Sequence, residues 1–197
     1  MKDLKLVVLA FTLVFAISCK NSKKENETTV ETEAVKNVEN VENTIVENKD
    51  LSILLSPKSG SDIKGTLNFT EENGQVTMNG TISGLEAGKH AIHIHEKADC
   101  SSDDGKSSGG HWNPTAQPHG AWGDSTGYHK GDIGNLTANA NGIATITKTT
   151  DEWCMGCGDK TKDILGKAII VHLGVDDMKS QPSGDAGARI GCAGIIQ

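Results

Sequence analysis

The sequence predicts an all-β domain over residues 51–197, with about eight short strands in an antiparallel sandwich or barrel. Three observations carry this reading. Short apolar or alternating runs recur, glycine and asparagine punctuate them, and no stretch of the region keeps a helical period. In chain order the runs are 51–56, 63–71, 75–83, 90–96, 132–138, 142–148, 167–172 and 188–196. The third alternates most clearly, with Val76, Met78 and Ile82 on one face and Gln75, Thr77, Asn79 and Thr81 on the other. Gly74, Gly88 and the Asn-Ala-Asn-Gly stretch at 139–142 supply turn chemistry. Residues 97–131 and 173–187 break the rhythm. Loops of that length in a compact domain are usually functional or need a cross-link to hold them.

Upstream, residues 1–18 read as a secretory signal peptide. Lys2 and Lys5 precede an apolar run of twelve residues, Leu6 to Ile17, shorter than the roughly 20 that span a bilayer. Ser18 and Cys19 then end the run in a way that resembles the bacterial lipobox. Cys19 is therefore expected to carry a lipid that ties an exported, cell-envelope protein to a membrane, periplasmic or outer-membrane anchored. Residues 19–50 form the expected tether: they have no aromatics and a loose Val-Glu-Asn repeat, and cannot bury enough surface to offset ordering. A short helix is the rival there, but the valine spacing gives a poor stripe.

The 197 residues carry a formal net charge of −7, divided as +1 over 1–19, −3 over 20–50 and −5 over 51–197. That balance argues against a nucleic-acid partner, which needs a basic face. It leaves open a small anion drawn to a locally positive spot. Of five cysteines, setting Cys19 aside leaves Cys100, Cys154, Cys157 and Cys192. An even number in an exported chain predicts disulfides, with three pairings open.

All seven histidines fall between residues 90 and 172. His93 and His95 flank Ile94 in a predicted strand, so a period of two places both imidazoles on one face. His111, His119 and His129 lie in the long loop, and Asp132 adds a carboxylate three residues after His129. His172 ends the apolar run Ala168-Ile169-Ile170-Val171, a rigid place for a ligand. Imidazole-rich sites favour copper and zinc. Six histidines and an aspartate exceed the needs of one tetrahedral zinc, so two ions sharing a ligand is the economical solution.

At this point the residues resemble those of the copper/zinc superoxide dismutase family. His90-Ala91-Ile92-His93-Ile94-His95-Glu96 is similar to the family's first copper-ligand strand, and Gly110-His111-Trp112-Asn113-Pro114 to its bridging-histidine motif. His119-Gly120 and the segment from His129 to Asp132 resemble the zinc motifs, and Val171-His172 the last copper ligand. Residues 185–192, which contain Arg189 and Cys192, resemble the active-site arginine segment. The resemblance implies an eight-stranded Greek-key barrel with a long metal-binding loop and a second active-site loop. It implies a copper site of His93, His95, His111 and His172, and a zinc site of His111, His119, His129 and Asp132, bridged by His111. It places Asp176 as the carboxylate joining His93 to His119, with Asp177 as competitor, and gives His90 a structural role. It also implies a Cys100–Cys192 disulfide.

The implied activity is dismutation of superoxide to oxygen and hydrogen peroxide. Copper would exchange the electron, His111 would release copper and carry a proton, and Arg189 would attract the anion. Lys179 is a further steering candidate. Cys154-Met155-Gly156-Cys157 departs from the family pattern. A local disulfide, a copper-acquisition site aided by Met155, and thiol–disulfide exchange remain open for it. The alternative to catalysis is a non-catalytic copper- and zinc-binding or copper-buffering module on the same scaffold. A homodimer is a candidate assembly that the sequence leaves open.

Overall fold

The computed structural model describes residues 48–197, so the expected signal peptide, Cys19 with its lipid, and the tether up to residue 47 lie outside the described residues. All eight expected strands form: β1 Lys49–Pro57, β2 Lys64–Glu72, β3 Gln75–Ser83, β4 Gly88–His95, β5 Gly134–Ala138, β6 Ala144–Thr150, β7 Ala168–His172 and β8 Arg189–Gly194. They pair antiparallel in the order β5-β4-β7-β8-β1-β2-β3-β6. β5 and β6, the two ends of that order, lie against each other, so the sheet nearly closes into a barrel. Among the described residues, no helix is long and apolar enough to cross a membrane.

β3 matches the expected run residue for residue, and the other strands shift by one or two residues at one or both ends, two of them for clear local reasons. β1 begins at Lys49, two residues early, because the Lys49 ammonium donates to Met155 O at 2.7 Å and lies 3.5 Å from the Glu71 carboxylate. The fifth strand begins at Gly134, because Asp132 is turned inward toward the histidines instead of joining the ladder.

The strands of one half alternate as a half-buried sheet should. Ile53, Leu55, Leu67, Phe69, Val76, Met78 and Ile82 enter the core, while Leu54 between two core positions points to water. β4 does not alternate in burial. Ile92 and Ile94 join the core, but His93 and His95 on the opposite face are also buried. β7 behaves alike: Ile169 and Val171 face the core, and Ala168 and Ile170 pack on the other side with Cys192 and Cys100. That second face is the floor on which the loops sit.

Register then arranges the histidines. His93 lies opposite Ile170 and His95 opposite Ala168. A register irregularity between Val171 and His172 sends Ile190 to the core and makes Arg189 the cross-strand partner of His172. The long loop is tied back onto β4 by an isolated bridge between His95 and His111. Trp112 N donates to Ile94 O at 2.8 Å, Gly131 N to Trp112 O at 3.0 Å, and Ile94 N to Gly131 O at 2.9 Å. A Cβ at Gly131 would run into Ile94 O and Trp112 N, so only glycine allows this three-way clasp.

The Cys100–Cys192 disulfide pins the start of the loop to β8 across 92 residues of sequence, with its Cα atoms 5.8 Å apart. Closing such a ring removes about 4–5 kcal/mol of unfolded-state freedom in the chain-entropy account. Cys100→Ser should therefore lower the unfolding free energy of the metal-free protein by about 2–5 kcal/mol, read as a drop in the urea midpoint. An unchanged midpoint would show that the hydrogen-bonded clasp alone holds the loop.

Candidate metal centre

Among the described residues, the buried side-chain nitrogens and oxygens without a hydrogen-bond partner are six in number. They are His93 Nδ1, His95 Nε2, His111 Nε2, His119 Nδ1, His129 Nδ1 and His172 Nε2. Each belongs to a histidine that the sequence put forward as a ligand. A buried polar atom left unpaired costs about 1–3 kcal/mol, so six in one region call for a common partner.

The other ring nitrogens explain why these six point where they do. His93 Nε2 donates to Asp176 Oδ2 at 2.8 Å, and His119 Nε2 to Asp176 Oδ1 at 2.9 Å. His95 Nδ1 donates to Gly109 O at 2.9 Å, and His172 Nδ1 to Gly187 O at 3.2 Å. Each bond fixes the ring's orientation and leaves the opposite nitrogen as the atom that faces the other histidines. Asp176 thus holds one imidazole with each oxygen, as the resemblance implied. Asp177 is exposed and instead bonds Lys179 N and Ser180 within its own turn.

The lone pairs converge in two groups. His93, His95, His111 and His172 bring donor atoms within 4.8 Å of one another, and so do His111, His119, His129 and Asp132. His111 belongs to both. In the second group, Asp132 Oδ1 lies 2.9 Å from His111 Nδ1 and 3.1 Å from His129 Nδ1, while Oδ2 lies 3.0 Å from His119 Nδ1. Four donors around a tetrahedral ion with bonds of about 2.0 Å stand about 3.3 Å apart, so this group needs little adjustment to accept one. Gly120 N and His129 N donate to Asp132 Oδ2 at 3.2 and 2.8 Å and hold the carboxylate in place. The residues present fit a pair of ions.

Burial and neighbours set the charge state of the metal-free cluster. Burial lowers the His172 pKa to about 3 and the His111 pKa to about 4. His95 is pushed well below its ordinary value by burial and then by His111. For His119 burial is outweighed by Asp132 and Asp176, which raise it to about 9. Burial also works against Asp132 and Asp176, but the imidazoles bonded to them hold both carboxyls well below the usual range.

A cleft of about 510 Å³ opens over the first group, lined by His95, His111, His172 and Arg189 together with Glu96 and Asn113. Arg189 is held by the loop: its Nη1 donates to Gly105 O at 2.9 Å and to Ser108 Oγ at 3.1 Å. Lys179 does not share this cleft and lines a separate depression beside His119. The His90 ring stands 3.1 Å from His172 O and 2.9 Å from Glu86 O, a structural strut under the site.

The sequence reading did not find the backbone carbonyls of Gly109 and Gly187, because a carbonyl leaves no mark in residue identity. It also missed Gly184, whose absent side chain lets the loop close on Asp176 and His119. Its φ of +68° marks a glycine position, but that angle exists only in the folded chain and residue identity alone did not single it out from the other glycines. Cys154 and Cys157 form a local disulfide. Met155 is buried in the core cluster, so it does not help them hold an ion. Their third neighbour is Asp163.

A pH dependence follows. In the unfolded chain the imidazoles titrate near 6.5, whereas folded His111 and His172 resist protonation until about 4 and about 3. Below 6.5 the unfolded state binds more protons, so the metal-free fold should weaken as pH falls from 6.5 toward about 4. His119, raised to about 9, contributes fully below 6.5 and leaves the slope in that window unchanged. Urea midpoints of the metal-free protein across the window should fall; a flat profile would contradict the buried, neutral rings.

The comparisons with known proteins agree with this geometry. A family model described as copper/zinc superoxide dismutase matches residues 63–195. The extracellular copper/zinc superoxide dismutase of Caenorhabditis elegans is 36% identical over 144 residues, which cover 70% of this chain and 63% of that protein. The chain therefore spans less than two thirds of that relative's length. The crystal structure of a SOD-like protein from Bacillus subtilis superposes with a TM-score of 0.66 at 29% identity, over 74% of this chain and 97% of that one. A double mutant of it, with histidine in place of a tyrosine and a proline, gives 0.67 at 31% identity with the same coverage. With the match spanning the histidine strands, the long loop and the arginine segment alike, the chain belongs to the copper/zinc superoxide dismutase family.

Proposed function

We propose that the protein dismutes superoxide to oxygen and hydrogen peroxide, using copper in the all-histidine group and zinc in the group that contains Asp132. The observation that carries this reading is the set of six unpaired, buried imidazole nitrogens shared between two groups through His111. Three buried imidazoles and a buried carboxylate with near-tetrahedral spacing suit zinc. Four imidazoles, three of which (His95, His111 and His172) line an open cleft, suit an ion that must meet substrate.

Bound copper would supply one-electron exchange, accepting an electron from one superoxide and giving it to the next. The balance is two superoxide anions and two protons to one oxygen and one hydrogen peroxide. The chain's residues do the rest. Arg189 is the one permanent cation among the residues lining the cleft, and it stays charged despite partial burial. It draws a monoanion toward His172, its cross-strand partner. His111 presents Nε2 to the first group and Nδ1 to the second. With Nδ1 held, Nε2 is the ring atom able to take up and return a proton during turnover.

Two disulfides fit an oxidising compartment, and one relative is named as extracellular. An exported protein anchored through a lipid on Cys19 is the location we propose.

The deciding experiment measures metal content and superoxide consumption of the same preparation. One copper and one zinc per chain with rapid consumption supports the reading; both ions without consumption makes it a metal-buffering module. His172→Ala should bring activity down to the uncatalysed background while most zinc remains. Equal loss of both ions would overturn the assignment of His172 to one group. Arg189→Ala should lower the second-order rate by about tenfold and flatten its salt dependence, with copper content unchanged. Unaltered kinetics would remove Arg189 from the mechanism.

A further inference from the structure

His129 is oriented differently from its partners. His93, His95, His119 and His172 are each fixed through the second ring nitrogen, and His111 uses both nitrogens within the groups. For His129 no hydrogen bond to Nε2 is made among the described residues; its Nδ1 faces Asp132 and the ring reaches the cleft. What restrains it is the backbone on either side.

Both flanks are gripped by one segment, residues 150–153. The Tyr128 hydroxyl donates to Glu152 Oε1 at 2.6 Å, and the Lys130 ammonium pairs with Glu152 Oε2. Trp153 Nε1 donates to Lys130 O at 2.9 Å. The gripping segment is itself rigid. Glu152 N donates to Thr150 Oγ1 at 3.0 Å, and the buried Trp153 ring meets Trp122 edge-on at 5.5 Å. Trp122 in turn lies 5.2 Å from the Tyr128 ring. Immediately beyond Trp153 the chain enters the turn closed by Cys154–Cys157, where Asp163 accepts from Gly156 N and Gly158 N at 2.9 and 3.1 Å.

We propose that Glu152 and Trp153 are positioning residues for His129. By holding the residues before and after it, they replace the missing ring partner and set the affinity of the His111, His119, His129 and Asp132 group for its ion. The inference rests on reading that group as an ion site. It gives a use to the Trp153–Cys157 stretch that the dismutation chemistry leaves unassigned. The disulfide-closed turn serves as the foundation of the brace, and neither residue touches an ion or substrate.

The test uses the full metal-free protein, with Co²⁺ as a spectroscopic probe of the carboxylate-containing group and Cu²⁺ as control for the four-histidine group. Glu152→Ala and Trp153→Phe should weaken Co²⁺ binding about 10–100-fold and alter its visible bands, with Cu²⁺ affinity held within about twofold. Loss of an outer support on a metal-binding histidine has this size. Unchanged Co²⁺ affinity and spectrum, or equal weakening of both ions, would overturn the proposal. If Trp153→Phe fails to fold, Glu152→Gln carries the test alone, since it keeps an acceptor for Tyr128 and removes the charge facing Lys130. A wild-type protein with no Co²⁺ at these four residues would refute the ion-site reading, and this inference with it.

Discussion

The arrangement that everything else serves is a set of buried imidazoles whose lone pairs aim at each other across two small spaces. No packing of apolar side chains would favour this. Each ring is held in its awkward position by a hydrogen bond on the far side or by a braced backbone. In the metal-free protein the desolvated His111 and His172 rings resist protonation, so ordinary ionisation does not relieve the cost of leaving them unpaired. A pair of cations would resolve it. The barrel, the clasp at Gly131 and the Cys100–Cys192 bond together keep the donors convergent while they wait.

The division of labour between the two halves of the barrel follows from that demand. β1, β2, β3 and β6 form an ordinary half-buried sheet with one wet face. β4, β7 and β8 are covered on both faces, one by the core and one by the loops. The site occupies the second covered face. It draws rigid donors from strands at His93, His95 and His172, and adaptable ones from the loop at His119, His129 and Asp132.

Much of this could be read in the residues. Period-two alternation located β3 residue for residue, short runs bounded by turn residues located β1 and β2 within two residues, and the apolar run before His172 located β7. The spacing of His93 and His95 gave their shared face directly. The identity of the groups holding the rings was harder. Asp176 was legible only through the family resemblance, because the same loop also carries Asp177 and Asp185 and nothing in their residue type separates the three. Gly109 O and Gly187 O were not, since any residue offers a carbonyl. Glu152 and Trp153 were also hidden, because they act on His129 through the peptide backbone of its neighbours, a relation that exists only once β6 and the metal loop are folded together. Asp132 was found as a donor, but the strand containing it was drawn too long, since a ligand's inward turn overrides β propensity.

Asp176 makes one last point about the two groups. Its two oxygens each hold one ring, His93 in the first group and His119 in the second. The groups are therefore joined by a carboxylate as well as by an imidazole. An ion bound on one side that stiffened this carboxylate would prepare the other side for its own guest. By thermodynamic reciprocity the second guest would then tighten the hold on the first by the same factor. The order in which ions arrived would then change the route of loading but not its end point.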